Sequence, residues 1–286
     1  MNRMLEIALP KGRMETEVHR LLADAGIRVT PSARGYRPQI SLPNTEAKIL
    51  KPQNIVEMLS IGSRDVGFAG ADWVAELNVE VVEILDTGLD PVRLVAATPD
   101  TLLEGGGLPR RRLIVASEYE RLATAWIERM GLDAEFVRTY GATEVFPPED
   151  ADVIVDITAT GATLAANDLK IVDALMSSST RLYASPEAAA DPDKRRRIDD
   201  LKLVLCSVLE ARRRVMVEVN ASAEQLEAVV AALPCMRRAT VSPLFGNNGY
   251  AVKAAVPREL LPQVIPAVKA AGGTDIIVSQ LAQIVP

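Results

Sequence analysis

The stretch DVIVDITATGATLAAN, residues 152–167, joins a strand pattern, a polar turn and the start of a helix. Because residues alternate faces along a strand, Asp152 and Asp156 are expected to share one face, with Val153 and Val155 buried on the other. Asp156 falls at the carboxyl end of this strand, where open α/β sheets bind their ligands. The stretch therefore predicts an α/β fold with a ligand site in this turn.

The turn itself offers hydroxyl groups, a glycine that permits a left-handed backbone conformation, and amides that can form an anion-binding nest. Carboxylates accept hydrogen bonds from sugar hydroxyls and a nest accepts a phosphate, so the combination suits a ribose 5-phosphate. The residues of this expected cradle are Asp152, Asp156, Thr158, Thr160, Gly161, Ala162 and Thr163. The alternative is a polar strand-to-helix turn with a capping threonine. Neither a Gly-Lys-Ser/Thr loop nor a Gly-x-Gly-x-x-Gly fingerprint is present.

Outward from this stretch, short apolar strands alternate with helical segments, which predicts a parallel sheet covered by helices on both faces. From Arg213 the order becomes strand–helix–strand–strand–helix–strand, the ferredoxin-like arrangement. We therefore expect a discontinuous first lobe (1–90 with 180–211), a second lobe with the polar turn (91–179) and a C-terminal domain (212–286). The strand VRLVAAT is expected to open the second lobe, and TRLYAS to return to the first.

Composition limits the classes of function. A net charge of -6, a pI near 5.1 and 4% aromatic residues argue against a nucleic-acid binder. No apolar run approaches the roughly 18 residues of a membrane span, and no signal-peptide pattern is visible. Cys206 and Cys235 form no metal or redox spacing, which favours the reducing cytoplasm. With His19 as the single histidine, histidine triads and His-rich zinc sites are nearly excluded.

Five segments occur in order along the chain: IALPKGR (7–13), LKPQNI (50–55), DVGFAGADWV (65–74), YGATEV (140–145) and DVIVDITATGATLAANDL (152–169). Together they resemble the long form of ATP phosphoribosyltransferase, the first enzyme of histidine biosynthesis. The resemblance covers essentially the whole chain, and the polar turn matches the family's phosphoribosyl-diphosphate loop.

The resemblance implies a reaction in which N1 of the adenine of ATP attacks C1 of phosphoribosyl diphosphate and pyrophosphate leaves. It further implies Mg²⁺ held mostly by substrate oxygens and water, with no protein ligand named, and a homo-oligomer of dimers or hexamers. The implied fold is a two-lobed core of the type II periplasmic-binding-protein kind, followed by a ferredoxin-like regulatory domain that binds L-histidine as a feedback inhibitor.

Such a reaction needs positioning and charge neutralisation more than an activated side chain. We expect Arg13 and Arg37 to act on diphosphate or triphosphate oxygens, because a planar guanidinium matches them bidentately. The residues expected to bind ATP are Lys11, Gly12, Lys51, Gly70, Asp72 and Glu144. For each cation the alternative is an ordinary surface charge. For Glu144 it is a helix-start carboxylate, and for Asp72 a helix cap.

In the C-terminal domain, Thr240 and Asp275 match the region where the family binds histidine, and hydroxyl and carboxylate groups suit an α-amino group. The alternative is a pair of strand-end polar residues.

Two other functions remain open at this point. The two α/β units also suit a type II periplasmic-type protein that binds a small ligand without catalysis, although the lack of a signal peptide counts against it. Another phosphoribosyltransferase on a dinucleotide-like core would leave the PKGR and GFAGADW segments unexplained.

Overall fold

The structure is a computed structural model that describes residues 4–32 and 35–285. The chain divides into two compact units, one reaching Arg20 and resuming from Arg28 to Ile198, the other formed by Leu21–Ile27 and the chain from Asp199 onward. Across the described residues, no helix is both long enough and apolar enough to cross a membrane.

Up to Arg213 the chain alternates strands and helices, as the sequence predicts. The strands are β1 (Leu5–Pro10), β2 (Val29–Thr30), β3 (Gln39–Ile40), β4 (Thr45–Leu50), β5 (Val66–Gly70), β6 (Val82–Pro99), β7 (Leu113–Ser117), β8 (Ala134–Arg138), β9 (Val153–Thr158) and β10 (Leu169–Ala184). The helices are α1 (Glu15–Asp24), α2 (Pro52–Ser60), α3 (Ala71–Leu77), α4 (Glu120–Met130), α5 (Ala162–Ala166), α6 (Pro186–Ala190) and α7 (Pro192–Arg213).

Eight of these strands form one sheet in the order β4-β1-β5-β10-β6-β9-β7-β8. The pairs of β1 with β4 and β5, and of β7 with β8 and β9, are parallel, whereas β6 and β10 are antiparallel to each other and to their outer neighbours. Strands such as β5 are fully buried, as expected for a sheet covered on both faces. The α/β fold class is confirmed.

The two central strands are longer than the sequence predicts. β6 begins at Val82 instead of Val92, and β10 begins at Leu169 instead of Thr180. Glycine, aspartate and proline near residue 90 suggest a turn between two units in the sequence. In the structure Asp90 adopts a positive φ of 46°, and β10 continues to pair with β6 on both sides of this residue. Register shifts along the pair absorb the irregular residues.

The C-terminal part forms a four-stranded antiparallel sheet in the order β12-β13-β11-β14, and the predicted strand–helix–strand–strand–helix–strand order is confirmed. Its elements are β11 (Arg214–Ala221), α8 (Leu226–Ala231), β12 (Thr240–Pro243), β13 (Tyr250–Pro257), α9 (Leu261–Ala270) and β14 (Thr274–Gln280). One face of the sheet packs on both helices through a core that includes Val217, Val229 and Val268. The three-part domain division stays a prediction.

Candidate active site

Basic residues gather at the carboxyl ends of two neighbouring strands. β1 and β4 are parallel and end in register, with Pro10 opposite Leu50. Lys11 and Lys51 follow directly, and the Lys11 amide donates to the Leu50 carbonyl at 3.0 Å. The two ammonium groups therefore start from backbones about 5 Å apart.

The segment that contains Arg37 lies beside this strand end. The Tyr36 carbonyl accepts a hydrogen bond from the Ile49 amide at 2.9 Å, and the Tyr36 ring lies 5.3 Å from the Lys11 ammonium. Arg37 is exposed. The structure therefore brings Arg37 to the end of β4 with the two lysines, although 14 residues separate it from Lys51 in the chain.

The turn after β1 directs Arg13 toward the central strand β6. Gly12 adopts a positive φ of 83°, which a side chain would strain, and Glu15 then opens α1. The exposed guanidinium of Arg13 donates from Nη1 to the Asp90 carbonyl at 2.8 Å. This contact ties the β1 turn to β6.

Asp156 is a half-buried carboxyl group at the carboxyl end of β9, and it accepts a hydrogen bond from the adjacent Ile157 amide at 2.7 Å. Burial raises its pKa to about 6, and the nearby carboxylates of Glu144 and Glu118 add to the rise. Keeping an unneutralised acid in such a place costs stability, which is typical of a group retained for function.

The sequence predicts that Asp152 and Asp156 share a strand face and both bind the ribose hydroxyls, but the structure gives Asp152 other partners. Asp152 precedes the first residue of β9, so about 13 Å of strand separates the two acids. Both Asp152 oxygens are bound: the Arg111 guanidinium donates at 2.7 and 3.3 Å, and the Ile114 amide at 2.8 Å. Partial burial opposes the charged form, but the Arg111 and Ile114 hydrogen bonds outweigh it and hold the pKa of Asp152 below its ordinary value. Asp152 therefore joins the amino ends of β9 and β7, away from the carboxyl end that carries Asp156.

The threonine turn follows Asp156 as expected, with Gly161 at a φ of 83° immediately before α5. The buried Thr158 hydroxyl accepts from the Gly161 amide at 2.9 Å, so Thr158 shapes the turn and does not point into open space. The Thr160 hydroxyl accepts from the Ala162 amide at 3.3 Å. Thr160, Ala162 and Thr163 are exposed, so this side of the turn is open to a ligand.

Glu144 lies in a turn that contacts β9, the strand of Asp156, and its charge adds to the rise of the Asp156 pKa. It is half-buried in a 3₁₀ turn, Thr143–Val145, that is held by the 2.8 Å contact between the hydroxyls of Thr139 and Thr143. The structure therefore places Glu144 with the cradle, on the opposite half of the sheet from the lysines of β1 and β4.

Asp72 neither caps its helix nor presents a free carboxyl group to a ligand. It is buried; Oδ2 accepts from the Tyr119 hydroxyl at 2.7 Å and Oδ1 accepts from the Ser178 hydroxyl. Burial and the Asp72 charge raise the Tyr119 pKa well above its ordinary value, so the phenol stays a hydrogen-bond donor. The role expected for Asp72 in binding ATP is corrected to a structural one.

Gly70 leaves room for the hydrogen bonds between Asp72, Tyr119 and Ser178. Its φ is an ordinary -76°, but an added Cβ would lie 2.1 Å from Asp72 Oδ1. The glycine expected to bind ATP therefore gives the Asp72 carboxyl group its space. One turn along α3, Glu76 accepts from the amides of Arg121 and Leu122 and so caps the start of α4.

Sequence reasoning missed Arg93, an exposed residue of β6 that pairs with Thr158 of β9. Inside the pattern VRLVAAT it reads as an ordinary strand residue. Only the register of the sheet places it beside the cradle.

Thr240 and Asp275 lie at opposite edges of the C-terminal sheet, on β12 and β14. Three strand spacings, about 14 Å, separate them, so one chain does not bring them to a common site. The Asp275 carboxylate accepts from the Asn220 side chain at 3.0 Å.

Comparison with known proteins agrees with this geometry. The ATP phosphoribosyltransferase family profile matches residues 51–206, and the profile "HisG, C-terminal domain" matches residues 211–283. ATP phosphoribosyltransferases from Pelotomaculum thermopropionicum and Chlorobium phaeovibrioides are 33% and 34% identical; the alignments cover 99% of both chains for the first, and 96% of this chain and 95% of the relative for the second. The solved ATP phosphoribosyl transferase (HisG:HisZ) complex from Thermotoga maritima has a chain with 26% identity and a TM-score of 0.64, covering 72% of this chain and 99% of that one.

The fold, the site and these matches define the class of enzyme as a pentosyltransferase. The chain belongs to the ATP phosphoribosyltransferase family, in the long form that carries a C-terminal domain. The resemblance found in the sequence is thereby confirmed, and the alternative of a binding protein without catalysis is not supported.

We expect Gly70→Ala to destabilise the chain by about 2 kcal/mol, because Asp72 must give up buried hydrogen bonds to admit the methyl group. Urea unfolding followed by circular dichroism measures the change. Gly107→Ala is the matched control, since Gly107 has no close neighbour except the Glu104 carbonyl at 4.0 Å. Equal stability of the two variants would contradict the role given to Gly70.

Asp156 should make the chain less stable as the pH rises. Its folded pKa is about 6 against an ordinary 3.8, so the folded chain holds a proton that the unfolded chain releases, and stability falls across that interval. Asp156→Asn removes the ionisation. The pKa difference corresponds to at most about 3 kcal/mol of unfolding free energy at pH 8. Asp156→Asn should therefore raise the melting temperature by roughly 5 °C at pH 8, and by much less at pH 4.

Thermal unfolding at the two pH values tests this, with exposed Asp150→Asn as a control for the loss of one charge. A gain for Asp156→Asn that does not change with pH would show that Asp156 is not the titrating group.

Proposed function

We propose that the chain joins ATP to 5-phosphoribosyl 1-diphosphate, giving N1-(5-phosphoribosyl)-ATP and pyrophosphate, as the first step of L-histidine biosynthesis. Membership of the family supports this reaction. The observation that best supports the reaction is that two different strand ends, the basic turn after β1 and the cradle after β9, both contact β6. Arg13 binds the Asp90 carbonyl, and three residues further along β6 Arg93 pairs with Thr158, so about 10 Å of strand lies between the carbonyl that Arg13 contacts and the residue opposite Thr158.

A molecule with phosphates at both ends of a ribose matches this spacing. In our proposal the exposed groups of the turn at 160–163 hold the 5-phosphate, with Thr158 supporting the loop. Asp156 accepts hydrogen bonds from the ribose hydroxyls. Glu144 lies within electrostatic range and binds the base or the ribose of ATP.

The cations at the ends of β1 and β4 meet the remaining phosphates. Arg13 and Arg37 bind diphosphate or triphosphate oxygens, and Lys11 and Lys51 add positive charge next to Gly12. As the bond to the ribose breaks, positive charge grows on the sugar and negative charge on the leaving group. An ionised Asp156 stabilises the first and the cations stabilise the second, so no side chain has to act as a nucleophile.

Mg²⁺ completes this proposal as the family's cofactor. It prefers oxygen ligands and keeps several waters, and would be held by the diphosphate oxygens. The carboxyl groups of Asp156 and Glu144 suit the same hard cation, directly or through water, since their mutual repulsion favours a positive charge between them. The ion would neutralise the leaving diphosphate.

We further propose that L-histidine inhibits the enzyme through the C-terminal domain and that the chain acts as a homo-oligomer, a dimer or hexamer, in the cytoplasm. Binding energies at the histidine and substrate sites are then linked and must change reciprocally. Thr240 and Asp275 lie too far apart within one chain to hold one histidine together. A site that uses both would combine residues of two chains.

Steady-state kinetics of ATP-dependent pyrophosphate release test the reaction and the cradle. Asp156→Asn and Thr163→Val should raise the KM for phosphoribosyl diphosphate at least about tenfold, with much less effect on the KM for ATP. Asp152→Asn is the matched control, because it makes the same change on the same strand about 13 Å away. Absence of pyrophosphate release would refute the reaction; equal effects of Asp152→Asn and Asp156→Asn would refute the cradle.

Inhibition curves with L-histidine test the C-terminal domain. Asp275→Ala and Thr240→Ala in the full chain should each raise the inhibitory concentration of histidine several-fold and leave the uninhibited rate unchanged. Lys269→Ala, on helix α9 on the other face of the sheet, is a control. If neither variant changes inhibition, histidine does not bind at these residues.

A further inference from the structure

Arg93 lies at the point where the central strand β6 passes the cradle. It pairs with Thr158 of β9 on one side and with Ser177 of β10 on the other. Val95, two residues further along the same face of β6, pairs with Asp156. Residues directly opposite in an antiparallel pair have Cβ atoms about 5 Å apart on the same face. Arg93 therefore shares a face with Thr158 and, one diagonal away, with Asp156.

The opposite face of β6 is filled by the core. Val92 and Leu94, on either side of Arg93, are buried, and Leu94 packs with Val155 and Tyr119. The Arg93 side chain is exposed on the face that carries the cradle. The strand register therefore holds this cation beside the turn.

The Arg93 guanidinium has no protein partner within residues 4–32 and 35–285: no side-chain hydrogen bond or ion pair involves it there. Asp156 is not its counter-ion: in the described part of the chain no ion pair joins the two side chains, and Asp156 accepts its hydrogen bond from the Ile157 amide. Other arginines of this unit differ, for example Arg111, which binds Asp152, and Arg181, which binds Glu83. A guanidinium that is held by its backbone and left without an anion is suited to bind an anionic ligand.

We propose that Arg93 binds the diphosphate of phosphoribosyl diphosphate, on the side of the ribose that faces Arg13. This assignment rests on the proposed function. The 5-phosphate is expected at the exposed turn, residues 160–163, beyond Thr158. Arg93 lies on the near side of Thr158, between the turn and the Asp90 carbonyl that Arg13 binds. Arg93 and Arg13 therefore approach the leaving group along one strand, and Arg93 stabilises the charge that develops as the bond to C1 breaks.

Isothermal titration of the full-length chain with magnesium pyrophosphate and, separately, with ribose 5-phosphate tests the assignment. Arg93→Ala should weaken pyrophosphate binding at least tenfold, and Arg93→Lys less, because lysine keeps the charge but not the bidentate geometry. Ribose 5-phosphate binding should change less than about twofold in both variants. Circular dichroism establishes that each variant is folded, and Arg93→Lys alone suffices if the alanine variant is not.

Arg112→Ala is the matched control, an exposed arginine at the other end of the second half-sheet that pairs with Glu135. Unchanged pyrophosphate affinity in Arg93→Ala, an equal loss in Arg112→Ala, or a parallel loss of ribose 5-phosphate binding would each overturn the assignment. So would a wild-type chain that does not bind pyrophosphate. A wild-type chain that binds pyrophosphate through Arg93 but releases none from the two substrates would refute the proposed reaction and support the role of Arg93.

Discussion

The antiparallel pairing of β6 with β10 is the constraint on which the first unit depends. The two strands run side by side from Val82 opposite Ala184 to Pro99 opposite Leu169, and every other strand of the large sheet is added to one side or the other of this pair. The pairing brings the carboxyl ends of β1 and β4 and that of β9 toward one short stretch of β6. Without it the basic turn and the acidic cradle would belong to separate sheets, and no ligand of ordinary size could contact both.

The two aspartates at the ends of β9 have different roles: Asp152, just before the strand, stabilises the fold, and Asp156, near its carboxyl end, is proposed to bind the substrate. Asp152 is neutralised by Arg111 and by a backbone amide, a favourable arrangement that joins neighbouring strand ends. In the described part of the chain Asp156 has no cationic partner, only the hydrogen bond from the Ile157 amide, and it keeps a raised pKa. A carboxyl group left in this condition lowers the stability of the fold, and proteins accept such costs where activity requires them. The two aspartates, four positions apart, therefore have opposite effects on the stability of the fold: Asp152 stabilises it and Asp156 destabilises it.

Sequence reasoning predicted the α/β class and the C-terminal arrangement, because strand and helix periodicities and turn residues are local signals. It predicted the family from the resemblance of five segments. It failed where the answer depends on register. The long β6 was read as starting after Pro91, since a positive φ at Asp90 and pairing across it are visible only in the sheet. The partners of Asp72 and Asp152 come from residues that are distant in the chain, such as Ser178 and Arg111, and no local pattern announces them.

The shared central strands also restrict how such chains can recombine. β6 and β10 each contribute to both halves of the large sheet, so the halves are joined by two hydrogen-bonded strands and not by a linker. A crossover between related genes just before Val82 would pair the β6 of one parent with a β10 from the same or the other parent, depending on where a second crossover falls. Chimeras that inherit both strands from one parent keep matched bulges, whereas those that split them inherit mismatched ones. Exchange of the C-terminal part after α7 leaves this strand pair intact, which makes that part easier to reassort than the large sheet.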